Sequence, residues 1–350
     1  MSRARSAVVV ALLITTALAP LASGTTRRVA AQPALPEQVY LALGDSIAAG
    51  LVTTLPRLRG YPWLVRDLME KQFGGEGAPA VTLINRAVPG ETTESFLTGD
   101  QLRLARADIE AAHARGAQIR AVTLTLGGND ILRLAGSDDA ARQAGLERFR
   151  TTFPAALAAI REALGETAAD IAVTTYYDLS EGDPAEQGSD AWWVAQFNEV
   201  IRQSAAAEGA RVADVEPVFR GHIREWTWYP TDVHANNAGH AEIARLVWQA
   251  LGYDQEAPTV TIERPATGPL GRRTPTVRVR ADDAVGVTRV ELLVDGEYVQ
   301  DLHYVPSQSA YLGVWDARDW TGASATLTVR ATDLAGNQAS ADVEVALPGS

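Results

Sequence analysis

The 350-residue sequence contains no cysteine. That excludes disulfides, cysteine-bound metals and lipid attachment through an N-terminal cysteine. Lys71 is the single lysine among 31 basic residues; we read this as a compositional bias without mechanistic weight. Positive charge is in deficit overall, with a formal net charge of −12. The first 31 residues carry four arginines and no acid, so the rest of the chain stands at about −16. An acidic chain argues against nucleic acid or an anionic membrane as main partner. Long apolar runs are also scarce. The one candidate extends from Ala7 to about Leu21, after Arg3 and Arg5 and before small residues. It is short for a spanning helix and lacks a stop-transfer flank. It reads as a secretory signal peptide over residues 1–31, which implies a secreted, extracellular or cell-surface protein. Cleavage falls either near Ala22-Ser23-Gly24 or after Val29-Ala30-Ala31.

What remains is an ordinary globular composition, 46% hydrophobic and 21% charged. From Gln38 to about Ala250, short β-like runs alternate with helical ones. Strands are expected at Val39–Leu43, Val81–Asn85, Gln118–Leu126, Ile171–Tyr176 and Arg211–Val215. Helices are expected at Pro62–Gln72, Gln101–Arg115, Pro154–Leu164, Ala191–Glu208 and Ala238–Leu251, several closed by glycine. Trp63, Leu64, Leu68 and Met69 would form the buried face of the first helix. Alternation of this kind implies a parallel sheet covered by helices on both faces. The pattern changes after a linker at Asp254–Pro258. Thr276–Arg280 and Thr326–Arg330 alternate with period two, and Asp295-Gly296 is a hairpin turn signal. About ninety residues with six or seven strands suggest a small antiparallel β-sandwich. The division expected is therefore 1–31, 37–252 and 258–348. The last segment resembles the bacterial immunoglobulin-like modules appended to secreted enzymes, through "RADDAVGVTRVELLVDG" and "VRATDLAGN".

Four blocks at strand ends or in loops carry the chemistry. Gly44-Asp45-Ser46 delivers a hydroxyl to the rim of the sheet, where reacting groups of open parallel sheets collect. Asn85-Arg86-Ala87-Val88-Pro89-Gly90 brings a backbone N–H unobstructed by a Cβ. Leu126-Gly127-Gly128-Asn129-Asp130 offers a side-chain amide. Thr231-Asp232-Val233-His234 offers an imidazole just before the last helix. Ser46 alone would read as a helix N-cap. Together, in this order, the blocks resemble the SGNH (GDSL-type) hydrolases over residues 38–251.

The resemblance implies a flavodoxin-like three-layer α/β sandwich and hydrolysis of carboxylic esters through an acyl-enzyme. Ser46 would be the nucleophile and His234 the general base. Ser46, Gly90 and Asn129 would form the oxyanion hole. No cofactor and no metal are called for. The sequence departs from the family at one point: the family has Asp three residues before the His, and here that position is Thr231. Either Asp232 reaches back through a local bend, or Thr231 or a backbone carbonyl holds the imidazole. The resemblance leaves the substrate open between a lipid or acyl ester and an acylated glycan. Tyr176, Tyr177 and Trp228 are candidate substrate-binding residues, since amphipathic aromatics suit sugars and acyl chains alike. Trp192-Trp193 reads as core, His240 as packing or capping, and Asp45 and Asp130 as turn stabilisers. The appended module suits contact with a cell surface or polymer. Its Asp282, Asp283, Asp333 and Asn337 have calcium-ligand chemistry but read first as turn residues. A second reading, a cell-surface binding protein with a degenerate hydrolase domain, rests on Thr231 alone.

Overall fold

The computed structural model describes residues 36–55, 59–74 and 80–348; the expected signal peptide lies outside them. Strand β1 (Gln38–Gly44) is buried at every position, as its unbroken apolar run requires of a central parallel strand. It pairs in parallel with β2 (Val81–Asn85) and β3 (Gln118–Thr125). Strands β4 (Asp170–Thr174) and β5 (Arg211–Ala213) extend the sheet, also in parallel. The order is β2-β1-β3-β4-β5, the flavodoxin-like order, in which the chain reverses direction across the sheet between β1 and β3.

The helices are α1 (Tyr61–Phe73), α2 (Thr93–Thr98), α3 (Asp100–Ala114), α4 (Gly128–Leu132), α5 (Asp139–Leu164), α6 (Asp190–Ala207), α7 (Val215–Phe219), α8 (Ile223–Trp226) and α9 (Asn237–Leu251). Helix α9 packs on α1, while α5 packs on α3 and α6. The buried face of α1 consists of Tyr61, Pro62, Val65, Leu68 and Met69; Trp63 and Leu64 sit at its half-exposed flank. Helix α5 begins at Asp139 rather than Pro154. Asp138 caps it, accepting the Ala141 N–H at 2.8 Å, and Phe149, Phe153, Leu157 and Ile160 carry one buried stripe straight past the proline. The rings of Phe149 lie 5.2 Å from Phe153 and 4.9 Å from Phe197.

Residues 259–346 form two sheets, antiparallel except where β7 pairs in parallel with β14. One runs β10-β9-β13-β14-β7 and the other β11-β12-β8-β6, from β6 (Thr259–Arg264), β7 (Gly268–Pro269), β8 (Thr276–Asp282), β9 (Val287–Val294), β10 (Glu297–Asp301), β11 (His303–Val305), β12 (Ala310–Val314), β13 (Ser324–Asp333) and β14 (Gln338–Ala346). Among the described residues nine strands replace the six or seven expected, because β7, β10 and β11 are too short or irregular to show alternation. Asp295 and Gly296 both have positive φ, 48° and 88°, as a two-residue hairpin turn demands. Val277, Val279, Leu292, Val294, Leu327, Val329 and Trp315 fill a separate core. Val285, from the β8–β9 loop, is instead buried in the α/β core, with Leu334 and Ala335 packed against it.

Candidate active site

Gly44 ends β1 at φ 126°. A Cβ there would lie 1.9 Å from the Thr125 carbonyl oxygen, so only glycine fits between β1 and β3. The next residue is pinned by its N–H to the same carbonyl, at 2.9 Å. The chain then turns, and Ser46 is presented at the rim, 8% exposed. Its Oγ lies 2.7 Å from His234 Nε2.

His234 stands on a loop between α8 and α9. An isolated bridge joins Thr227 to Ala235, and the Trp228 N–H donates to the His234 carbonyl at 3.0 Å. Asp232 Oδ1 lies 2.5 Å from His234 Nδ1 and accepts the His234 backbone N–H at 2.9 Å. One oxygen thus bends the chain into an Asx turn and faces the ring. Thr231 is engaged elsewhere, its hydroxyl donating to the Trp228 carbonyl at 2.6 Å. Of the sequence alternatives, the geometry is that of Asp232 reaching back through a bend. Burial works to raise the Asp232 pKa, but hydrogen bonds from the His234 backbone and ring and the imidazole charge leave it below the ordinary carboxylate value. With Nδ1–H directed at this carboxylate, Nε2 is left as acceptor for the Ser46 hydroxyl proton.

Asn129 opens α4 and directs Nδ2 at the Glu91 carbonyl, 2.9 Å away. That leaves its second amide proton free for other work. Gly90 precedes Glu91 in an exposed turn, at φ 84°. Two residues that the sequence did not single out tie these parts together. Gln101, on α3, grips both backbone groups of Gly44: Oε1 accepts its N–H at 2.6 Å and Nε2 donates to its carbonyl at 2.9 Å. The same Nε2 donates to Glu91 Oε2 at 2.8 Å. Glu91 and Gln101 are both buried. A network therefore runs from the end of β1 to the residue whose carbonyl holds Asn129.

Asp45 and Tyr176 form a second buried pair. The Tyr176 hydroxyl donates to Asp45 Oδ2 at 2.5 Å, and the Ile47 N–H donates to Oδ1 at 3.0 Å. Burial outweighs both bonds and raises the Asp45 pKa to about 6. Asp130 binds the Thr93 N–H and hydroxyl, at 3.0 and 2.7 Å. Buried His240 accepts the Tyr61 N–H on Nδ1 at 3.2 Å, and burial pushes its pKa down to about 4.

A cleft of about 240 Å³ opens beside Ser46 and His234. Its wall is mostly apolar: Ile131, Leu132, Leu134, Leu179, Val194 and Phe197 contribute. Tyr176 and Tyr177 line it, yet their hydroxyls are already committed. The Tyr177 hydroxyl donates to the Val233 carbonyl at 2.8 Å, and its ring stacks on Phe219 at 4.9 Å. Trp228 is not part of the lining, and Tyr229 takes that place; Trp193, read as core, lines the cleft as well. The Trp228 backbone serves the His234 loop instead, and its side chain is 41% exposed.

A parallel sheet in this order, with a serine, imidazole and carboxylate aligned at its rim, is a flavodoxin-like α/β sandwich carrying a hydrolase-type site. The chain belongs to the GDSL-like lipase/acylhydrolase family, whose model matches residues 42–242. It is accordingly a carboxylic ester hydrolase. A bacterial Ig domain model matches residues 258–329. Among solved structures it is similar to an α/β hydrolase from the metagenome of Lake Arreo, Spain, at 19% identity and TM-score 0.46, covering 62% of this chain and 96% of that one. An acetylxylan esterase from Geobacillus stearothermophilus matches at 18% identity and TM-score 0.42, covering 63% and 98%. An extracellular lipase from Streptomyces rimosus matches at 21% identity and TM-score 0.42, covering 61% and 99%. No curated protein matches the chain significantly by sequence.

Proposed function

We propose that this protein is a secreted serine esterase that cleaves esters of acyl chains longer than acetyl. The observation that carries the reading is the hydrogen-bonded series Ser46–His234–Asp232 at the mouth of an apolar cleft. Ser46 Oγ attacks the ester carbonyl carbon while His234 Nε2 takes its proton. The tetrahedral oxyanion is met by the backbone N–H groups of Ser46 and Gly90 and by the amide proton of Asn129 not given to Glu91. The C–O bond to the alcohol then breaks, and His234 returns the proton to the leaving oxygen. Water, deprotonated by the same imidazole, cleaves the acyl-enzyme and restores the Ser46 hydroxyl. Asp232 holds the ring and balances the imidazolium charge.

The cleft wall favours an acyl chain over a sugar. Its aliphatic and Phe side chains gain from each buried methylene, about 0.8 kcal/mol or roughly fourfold in kcat/KM. Sugar rings ask for hydroxyl partners, whereas the hydroxyls of Tyr176 and Tyr177 are spent on Asp45 and Val233. Secretion is supported by Arg3, Arg5 and the apolar run that follows. The Ig-like module suits attachment to a cell surface or polymer near the substrate.

A panel of p-nitrophenyl esters from acetate to dodecanoate, run beside an acetylated xylan, tests this. We expect kcat/KM to rise at least tenfold from acetate to butyrate or hexanoate, with little release of acetate from the polymer. Acetate esters or acetylated xylan as the best substrates would overturn the acyl-chain assignment. Turnover that survives in Ser46→Ala would overturn the nucleophile.

A further inference from the structure

Three carboxylates meet where the α/β part passes into the β-sandwich, and each comes from a different segment. Asp254 follows α9, Asp283 lies in the β8–β9 loop, and Asp333 ends β13. One ligand atom of each lies within 4.8 Å of the others. Asp254 and Asp333 are 3% and 2% exposed. Such a cluster of like charges, taken out of water, opposes folding unless something positive offsets it.

The hydrogen bonds account for only part of the set. Asp283 Oδ1 accepts the N–H groups of Val285 and Gly286, both at 2.9 Å. Asp333 accepts the Asn337 N–H and side-chain amide, at 2.8 and 2.9 Å. Asp254 Oδ1 accepts the Glu256 N–H at 3.2 Å. Asp254 Oδ2, however, is buried and has no partner among the described residues. A buried carboxylate oxygen with nothing to accept is a rarity that asks for an ion or a water. The charged groups facing Asp254 are themselves carboxylates, those of Asp283, Asp333 and Glu256. Lys71 does reach this corner, but it donates to the Val285 carbonyl at 3.3 Å.

We propose that Asp254, Asp283 and Asp333 bind one divalent cation, calcium by its chemistry, which fastens the β-sandwich to the α/β domain. All donors are oxygens, a set that suits calcium, magnesium or manganese better than zinc or copper. Three carboxylates on three separate backbone segments suit the large, tolerant coordination sphere of Ca²⁺ better than the strict octahedron of Mg²⁺, with water completing the set. The place is mechanically apt. Val285 is buried in the α/β core, the Leu334 carbonyl accepts from Gln249 Nε2 at 3.3 Å, and Asn337 Nδ2 donates to the Glu256 carbonyl at 2.9 Å. An ion on these three aspartates draws the same two sandwich loops onto the segment that follows α9. Two of the three, Asp283 and Asp333, are among the residues the sequence reads first as turn formers with calcium-ligand chemistry. Asp254 lies outside the repeated turn.

Full-length protein stripped with EDTA and titrated with CaCl₂ by calorimetry tests the assignment, with thermal melting in parallel. We expect one ion per chain with Kd on the order of 10⁻⁴–10⁻³ M, as in extracellular modules. At saturating calcium the melting temperature should rise by about 5 °C. Mg²⁺ at equal concentration should do less. Asp254→Asn should abolish the calcium response and melt higher than the wild type in EDTA, since it removes a repelled charge. Asp283→Asn, at the half-exposed ligand, should weaken binding at least tenfold and serves if the first variant fails to fold. Turnover of a soluble short-chain ester below both melting points should not depend on calcium. No saturable binding with an unchanged melting temperature would overturn the proposal. So would affinity unchanged in the folded variants, and a Mg²⁺ response equal to that of Ca²⁺ would overturn the choice of ion.

Discussion

In the α/β sheet, β1, β3 and β4 run side by side in one direction, so Gly44, Thr125 and Thr174 end at a common rim. In the sandwich, β13 and β14 run in opposite directions, so their ends divide between two rims. The parallel sheet therefore gathers loops from distant parts of the sequence into one place, and Ser46, Asn129 and Tyr176 converge there. The antiparallel sheets return each turn next to its own neighbour. What the sandwich brings together is a pair of adjacent turns carrying Asp283 and Asp333, at the end that meets α9. The same residue types, acids and small turn formers, thus serve chemistry in one half and attachment in the other.

The sharpest way to break this contrast is to remove the carboxylate behind the imidazole. Asp232→Ala should lower kcat by roughly 10³–10⁴, while Thr231→Ala stays within about threefold of wild type, in a steady-state assay on one preferred ester. Equal losses in the two variants would contradict the assignment. Asn129→Ala should cost roughly 10²–10³ in kcat, the usual worth of one oxyanion donor, with KM little changed. A large rise in KM at constant kcat would instead make Asn129 a binding residue.

Stability should separate the halves next. His240 has a folded pKa of about 4 against 6.5 ordinarily. The unfolded chain takes up a proton below pH 6.5 that the folded protein refuses, so this group's contribution is present above 6.5 and lost toward 4. Asp45, raised from 3.8 to about 6, works in the opposite sense: the folded protein binds its proton first, and stability is gained as pH falls from 6 toward 3.8. Each amounts to ~2–4 kcal/mol, so the two largely cancel in the wild type. His240→Asn keeps an acceptor for the Tyr61 N–H and should expose the Asp45 gain. Urea midpoints of the variant should rise from pH 7 to 4.5; a profile as flat as that expected of the wild type would exclude the His240 contribution. The smallest effect belongs to the junction. Val285→Ala should cost about 1–2 kcal/mol of stability by emptying a site in the α/β core, with turnover of a soluble ester unchanged. A matching loss of turnover would tie the sandwich to the chemistry.

Much of this was legible in the sequence, because the parallel sheet writes itself as apolar runs and its site falls where each run stops. Gly44-Asp45-Ser46 and Leu126-Gly127-Gly128-Asn129 each follow directly on the end of such a run. The residues that escaped act across the sequence rather than along it. Gln101 is one polar position on an amphipathic helix, and nothing local says that it clasps Gly44. The sequence pattern starts helix α5 at Pro154, since proline so often marks a helix start. Trp228 and Tyr229 are neighbours of like character, and only the turn of the His234 loop decides which side chain faces the cleft. Asp254 looked like a linker residue because its partners lie in the turns after β8 and β13.

The central claim is that the Ser46 hydroxyl is the group His234 activates toward an acyl carbonyl. A p-nitrophenyl alkylphosphonate tests it most directly, because phosphorus replaces the carbonyl carbon and attack releases p-nitrophenolate while leaving a stable phosphonyl ester on the nucleophile. Mass spectrometry of the digested protein should locate one adduct, on Ser46, formed by the wild type and absent from Ser46→Ala. An adduct on any other residue, or an active wild type that forms none, would contradict the account.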